Sequence, residues 1–177
     1  AVLNCSAQPM PDPPPGAQAP GQVAYLHLPV RAFKLDKCGL ERVLGEALAF
    51  AGGHLAAGRR LAVVCEDGLE RSVCVAVAIL LCHFDQSLAA FRPSCMPPDD
   101  LSKEGMRQRL QSVCAHHPQA RPTRGMLKQV YNYCRTLLVG EECWGGAGGE
   151  SKREAGGAGG AARGKAKRSA VAASTSS

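Results

Sequence analysis

One stretch constrains the fold more than any other: Leu61-Ala-Val-Val-Cys65-Glu-Asp-Gly68-Leu-Glu-Arg71-Ser72-Val73, which then runs without a charge to Leu81. Four apolar residues ending in two valines read as a buried strand. A short polar loop follows, then an apolar run that is either a helix or a second strand by periodicity, and the loop before it favours helix. Strand, tight loop and helix suit oxyanion binding, because successive loop amides and the positive end of the helix converge on one point. Arg71 adds a bidentate, permanently charged clamp. Gly68 supplies a positive φ where the loop turns, and Ser72 is placed to cap the helix. Cys65 lies in the same positive field, which favours its thiolate. All eight residues, Cys65, Glu66, Asp67, Gly68, Leu69, Glu70, Arg71 and Ser72, are therefore candidates for phosphate binding, with Cys65, Asp67, Arg71 and Ser72 as candidates for catalysis.

The spacing Cys-x-x-Gly-x-x-Arg-Ser resembles the phosphate loop of cysteine-dependent tyrosine and dual-specificity phosphatases. Its place between an apolar strand and an apolar helix strengthens that resemblance beyond the bare pattern.

A chain of 177 residues, 45% hydrophobic, suffices for one compact domain with tails. The formal charge is +6, but Lys152, Arg153, Arg163, Lys165, Lys167 and Arg168 stand against only Glu150 and Glu154 beyond Gly145. The basic excess thus belongs mostly to the tail. Nine cysteines without a Cys-x-x-Cys pair or a Cys/His ligand spacing read as reduced thiols in a cytoplasmic or nuclear protein, with no metal site. Nothing reaches the length of a membrane span, since Glu66 to Ser72 interrupts the one apolar candidate. Ala1-Val-Leu-Asn has no charged stretch ahead of an apolar core and reads as no secretory signal. The chain looks like a piece of something longer.

In order along the chain, Val2 to Cys5 reads as the end of a strand, and residues 1–22 as that strand end plus a mobile proline-rich loop. Val23 to Val30 alternates as a strand, with Pro29 near its end or on an edge and His27 structural or at the surface. Leu35 to His54 is helical, with Asp36 as N-cap and Gly52-Gly53 as the stop. Gly58-Arg59-Arg60 turns the chain into the central strand. A helix from Ser102 sends Met106, Leu110, Val113 and Cys114 inward and Lys103, Arg107 and Arg109 outward, and His116-His117 beyond it reads as solvated. Thr123 caps a last helix. Residues 23–140 form the domain, and 141–177 a disordered basic tail rich in Gly and Ala. Within that tail the cluster Arg163 to Arg168 suits nuclear import, nucleic-acid contact or mere solvation.

Two further blocks, Lys103-Glu-Gly-Met-Arg107-Gln-Arg109-Leu110 and Pro118-Gln-Ala-Arg121-Pro122-Thr-Arg124-Gly-Met-Leu127, resemble the C-terminal, dual-specificity-phosphatase-like domain of the initiator tRNA 2'-O-ribosylphosphate transferases. That resemblance spans about Ala1 to Leu138. It implies transfer of ribosyl phosphate from phosphoribosyl pyrophosphate to the 2'-hydroxyl of a T-stem adenosine in initiator tRNA. It also implies an N-terminal domain of the same protein as partner. No tightly bound cofactor is implied, although magnesium accompanies the pyrophosphate donor. Family members read Cys-x-x-Gly-Lys-Asp-x-Ser in the loop. Here Leu69, Glu70 and Arg71 occupy those places, so Arg71 replaces the lysine charge.

The two chemistries ask different things of one loop. A phosphatase needs a Cys65 thiolate and an Asp general acid upstream. The histidine that usually precedes the cysteine is Val64 here, and Asp36, the acid at a tolerable distance, sits where a helix cap is wanted. A transferase needs no thiol nucleophile; Asp67 or Glu70 would serve as base or magnesium ligand, or simply orient Arg71. Lys103, Arg107, Arg109, Arg121, Arg124 and Lys128 are candidates to track tRNA phosphates. The third reading is a non-catalytic phosphate- or RNA-binding module. All share one expected fold: a three-layer α/β sandwich, its short, mostly parallel sheet carrying helices on both faces and the loop at the carboxyl end of the central strand.

Overall fold

The computed structural model describes residues 1–10, 23–94, 96–98 and 101–139. Both the centre of the proline-rich loop and the basic tail lie outside these. Residues Ala1–Trp144 group into one compact unit. Within it, β1 (Val2–Asn4), β2 (Tyr25–His27) and β3 (Ala62–Val64) form a parallel sheet in the order β2-β1-β3. Four helices complete this α/β sandwich: α1 (Gly39–Ala56), α2 (Arg71–His83), α3 (Lys103–His116) and α4 (Arg124–Val139).

The middle strand is therefore β1, a complete strand rather than a strand end, while β3, expected at the centre, pairs on one side among the described strands. Register explains the burial. Leu3 pairs with Leu26 on one flank and Val63 on the other, and both Leu3 and Asn4 are fully buried. A strand closed on both edges needs apolar residues or satisfied polar ones. Asn4 meets the second condition: its amide nitrogen donates to the Tyr25 hydroxyl at 2.9 Å and its oxygen accepts from the Ser6 N–H at 2.9 Å. His27 sits beside this cluster and bonds the Ser6 carbonyl at 3.0 Å.

Helix α1 departs from expectation at both ends. Cys38, not Asp36, is its N-cap and supplies no side-chain bond. Instead Oε1 of Gln129, on α4, accepts from the amides of Leu40 and Glu41 at 3.1 Å each, so a distant helix caps this one. The pair Gly52-Gly53 lies inside the helix. Gly52 is there because a Cβ would stand 2.6 Å from Cε1 of His83 on α2. Three residues further on, the backbone ends the helix: Gly58 has φ +68°, its N–H reaches Leu55 O at 2.9 Å, and Arg59 N–H reaches His54 O at 3.0 Å. Those two bonds satisfy carbonyls of the last turn around a left-handed glycine.

Helix α2 is the buried hub, packed against α1, α3, α4 and β3. Its Val75, Val77, Leu81 and Cys82 join Leu40, Leu44 and Leu48 of α1 and Val130 of α4 in one core. Arg109 turns inward, contrary to expectation: it is 3% exposed and donates to Asp85 O at 2.7 Å and Gln86 O at 3.0 Å. A guanidinium so placed holds the turn after α2 and is not available to RNA.

Candidate functional site

Strand β3 ends at Val64 and α2 begins at Arg71, so the six residues between them must reverse the chain over the carboxyl edge of the sheet. Gly68 makes the turn with φ +68°, the left-handed conformation that its lack of a Cβ permits. Ser72 lies inside the first turn of α2 rather than at its cap, which is Glu70. From there its Oγ sits 3.1 Å from Cys65 Sγ. The first-turn amides of α2 have no intrahelical acceptors and face the loop end of the helix. Cys65, Gly68 and Ser72 line an open hollow of about 280 Å³ together with Val73, Val113 and His117.

The loop's charges are arranged around Arg71. Its guanidinium is paired with Glu66, stands 3.8 Å from Asp67, and donates to Val30 O at 3.3 Å. Glu66 also accepts from the Ala7 N–H at 2.8 Å, tying the loop to the segment after β1. Asp67 accepts from the Leu69 N–H at 3.0 Å and from Cys65 Sγ at 3.4 Å. The Leu69 amide first, then the Cys65 thiol and Arg71, hold the Asp67 carboxyl below the usual carboxylate range. The loop acids thus orient backbone and Arg71.

A brace from the far side was not legible in the sequence. His117 Nε2 lies 2.9 Å from Gly68 O, Arg121 N–H reaches Leu69 O at 2.7 Å, and Thr123 N–H reaches Glu70 Oε1 at 3.1 Å. Three successive loop residues are held by the connector between α3 and α4. His117, expected to be solvated, belongs to the site, and no ligand spacing in the sequence signals it. Asp36, the candidate acid for a phosphatase, accepts from the Cys38 N–H at 3.1 Å and pairs with Arg42. Those contacts, the Cys38 amide first, hold its carboxyl below the usual range, the opposite of what a proton donor at neutral pH requires.

Of the cations expected to meet RNA, Lys103, Arg107, Arg121, Arg124 and Lys128 are exposed, while Arg109 is buried. Arg107 lies 3.7 Å from Glu104, and Arg121 donates to Pro118 O and Ala120 O, each at 2.8 Å. Among the described residues no group of three or more His, Cys, Asp or Glu side chains is arranged to hold a metal ion. No helix among them is long and apolar enough to cross a membrane.

Several solved structures share this fold. Solved structures similar to the chain include human DUSP28, at 28% identity and TM-score 0.52, covering 77% of this chain and 74% of that one. A mouse putative dual specificity phosphatase, solved in complex with zinc tungstate, is 26% identical with TM-score 0.54, covering 78% and 71%. A leucine rich repeat and phosphatase domain containing protein from Entamoeba histolytica is 11% identical with TM-score 0.53, covering 80% and 76%, and shows the shared fold alone. No curated protein matches the chain. The family model for initiator tRNA modification described as the Rit1 DUSP-like domain (Init_tRNA_PT) matches residues 24–134, well over half of the 177. The chain, with its phosphatase-like fold, belongs to the Rit1 DUSP-like domain family.

Proposed function

We propose that this domain serves a tRNA-modifying transferase, seating the phosphorylated end of phosphoribosyl pyrophosphate on the loop from Cys65 to Ser72 while the 2'-hydroxyl of a T-stem adenosine in initiator tRNA attacks the anomeric carbon. The observation that carries this reading is the pairing of Arg71 with Glu66, with Asp67 close by. Phosphoryl transfer through a cysteine brings a thiolate and a phosphate dianion together, and carboxylates beside the loop oppose that. Glycosyl transfer instead develops positive, oxocarbenium-like charge on the sugar, which nearby carboxylates stabilise. Loop amides and the end of α2 then hold the donor phosphate. Magnesium would accompany the pyrophosphate donor, and no step here depends on it. Substrates and the N-terminal partner domain follow from the family and remain part of this proposal.

A second reading, a protein phosphatase using Cys65 as nucleophile, is favoured by one contact. The Ser72 hydroxyl lies 3.1 Å from the thiol, suited to hold a thiolate or a thiol leaving group. One pair of assays separates the two. The full protein is given labelled donor and initiator tRNA, and in parallel an aryl phosphate, as wild type and as Cys65→Ser. The transferase reading expects label at a T-stem 2'-oxygen in both proteins. Aryl phosphate hydrolysis that disappears in Cys65→Ser, with no label on tRNA, would establish the phosphatase instead.

A further inference from the structure

The neutral imidazole of His117 has a defined tautomer. Its Nε2 lies 2.9 Å from the Gly68 carbonyl oxygen. A carbonyl only accepts, so Nε2 carries the proton and Nδ1 is left with a basic lone pair. The ring stands against Gly68, where a Cβ would meet Nε2 at 3.6 Å, and so shares the wall of the hollow that holds Cys65 and Ser72. His117 and Val113 also wall a second, almost wholly apolar hollow of about 360 Å³ with Leu80 and Leu88. The imidazole therefore divides an anion seat from an apolar recess.

That recess is built with some strain. Leu88 has φ 61°, a left-handed conformation that a branched side chain adopts only when its surroundings compel it. Leu88 lies in a turn closed on Asp85, whose carbonyl accepts from the Leu88 N–H at 3.2 Å and whose carboxylate accepts from the amides of Ala89 and Ala90, while the Arg109 guanidinium holds the carbonyls of Asp85 and Gln86. The loop carboxylates, by contrast, are engaged: Glu66 with Arg71 and Ala7, Asp67 with Leu69 and Cys65, Glu70 with Thr123. Asp67, held below the ordinary carboxylate range, is a weakened base.

Building on the transferase reading above, we propose that His117 is the general base of the transfer, its Nδ1 taking the proton of the acceptor 2'-hydroxyl. The hydroxyl oxygen forms the new bond to the anomeric carbon as the bond from that carbon to the pyrophosphate oxygen breaks. Pyrophosphate leaves with the electron pair, and the proton passes from Nδ1 to solvent. The acceptor's flat base rests in the apolar recess, on the other side of the wall of Val113 and His117 that the two hollows share. Its sugar then lies beside the imidazole.

The test uses the full protein, initiator tRNA and phosphoribosyl pyrophosphate, comparing wild type with His117→Gln and with His117→Ala in the presence and absence of imidazole. A glutamine amide still donates to Gly68 O but has no basic nitrogen. We expect kcat to fall about 100-fold or more in both variants, KM for tRNA to stay nearly unchanged, and imidazole to restore part of the alanine variant's turnover. A His117→Gln protein that turns over like wild type, or whose loss is confined to KM, overturns the proposal, because His117 would then only brace the loop or bind tRNA. Should the alanine chain not fold, the glutamine chain decides alone. A wild-type protein that transfers no ribosyl phosphate overturns the transferase reading itself, which keeps the two failures distinguishable.

Discussion

Cys5 and Cys38 carry the same thiol in opposite surroundings. Cys5 is fully buried just past β1, and burial, with the nearby Cys65, pushes its pKa from 9.0 up to about 12. Burial pushes Cys74 up as well, whereas Cys38 is exposed. Alkylation at pH 8 followed by peptide mass spectrometry should therefore label Cys38 first and reach Cys5 and Cys74 only on unfolding. The same shift has a stability consequence. Unfolded Cys5 releases its proton near pH 9.0 and folded Cys5 only near 12, so its contribution is fully present below pH 9 and is lost as pH rises through that window. Unfolding free energies from urea titrations should fall above pH 9, by up to about 1.4 kcal/mol per pH unit, and Cys5→Ala should flatten that slope. Arg109 makes the second prediction at this scale. Because the buried guanidinium holds two carbonyls of the turn after α2, Arg109→Leu should lower stability by about 2–3 kcal/mol in thermal melts. Arg107 and Arg109 both read as outward, yet residues two apart stand on nearly opposite sides of a helix, so one of the pair must turn toward the fold. What the spacing did not carry is that the turn after α2 needs a donor from inside, which outweighs the cost of burying a guanidinium.

At the level of elements, Gln129 matters beyond its own helix. It is buried and receives both first-turn amides of α1, so Gln129→Leu should destabilise the fold by about 1–3 kcal/mol. Amide hydrogen exchange would locate the loss in the first turn of α1. No local signal marks that cap, since the residues it serves lie almost ninety positions away. Helices α2, α3 and α4 were legible from apolar spacing, from the start placed at Ser102 and the cap at Thr123, and from the strand and loop before α2. Their caps act within three residues: Gly105 N–H reaches Ser102 Oγ at 3.0 Å and Met126 N–H reaches Thr123 Oγ1 at 3.4 Å. Gly52-Gly53 misled for the converse reason. A glycine pair resembles a stop, but Gly52 is required by the approach of His83 from another helix, and the true stop is the left-handed Gly58. The loop from Cys65 to Ser72 was legible because its geometry is local. The brace of His117, Arg121 and Thr123 was not, because it depends on where α3 and α4 bring their connector.

For the molecule as a whole, Arg124 and Lys128 lie on α4 just past that connector, Lys103 stands at the far end of α3, and all three are exposed. If they track tRNA phosphates, replacing each with alanine should reduce the slope of log affinity against log salt by about 0.7–0.9 per contact, as measured by filter binding at several ionic strengths. Arg109→Leu should leave that slope unchanged, which separates exposed charge that meets RNA from charge inside the fold. The sheet adds a kinetic consequence. Its middle strand precedes both of its neighbours along the chain, since Val2 pairs with Tyr25 on one side and Ala62 on the other. A nascent chain thus carries an unpaired, apolar Val-Leu segment until Ala62 has followed it from the ribosome. For that interval the future centre of the protein is a sticky segment, exposed to whichever chaperone or aggregate meets it first.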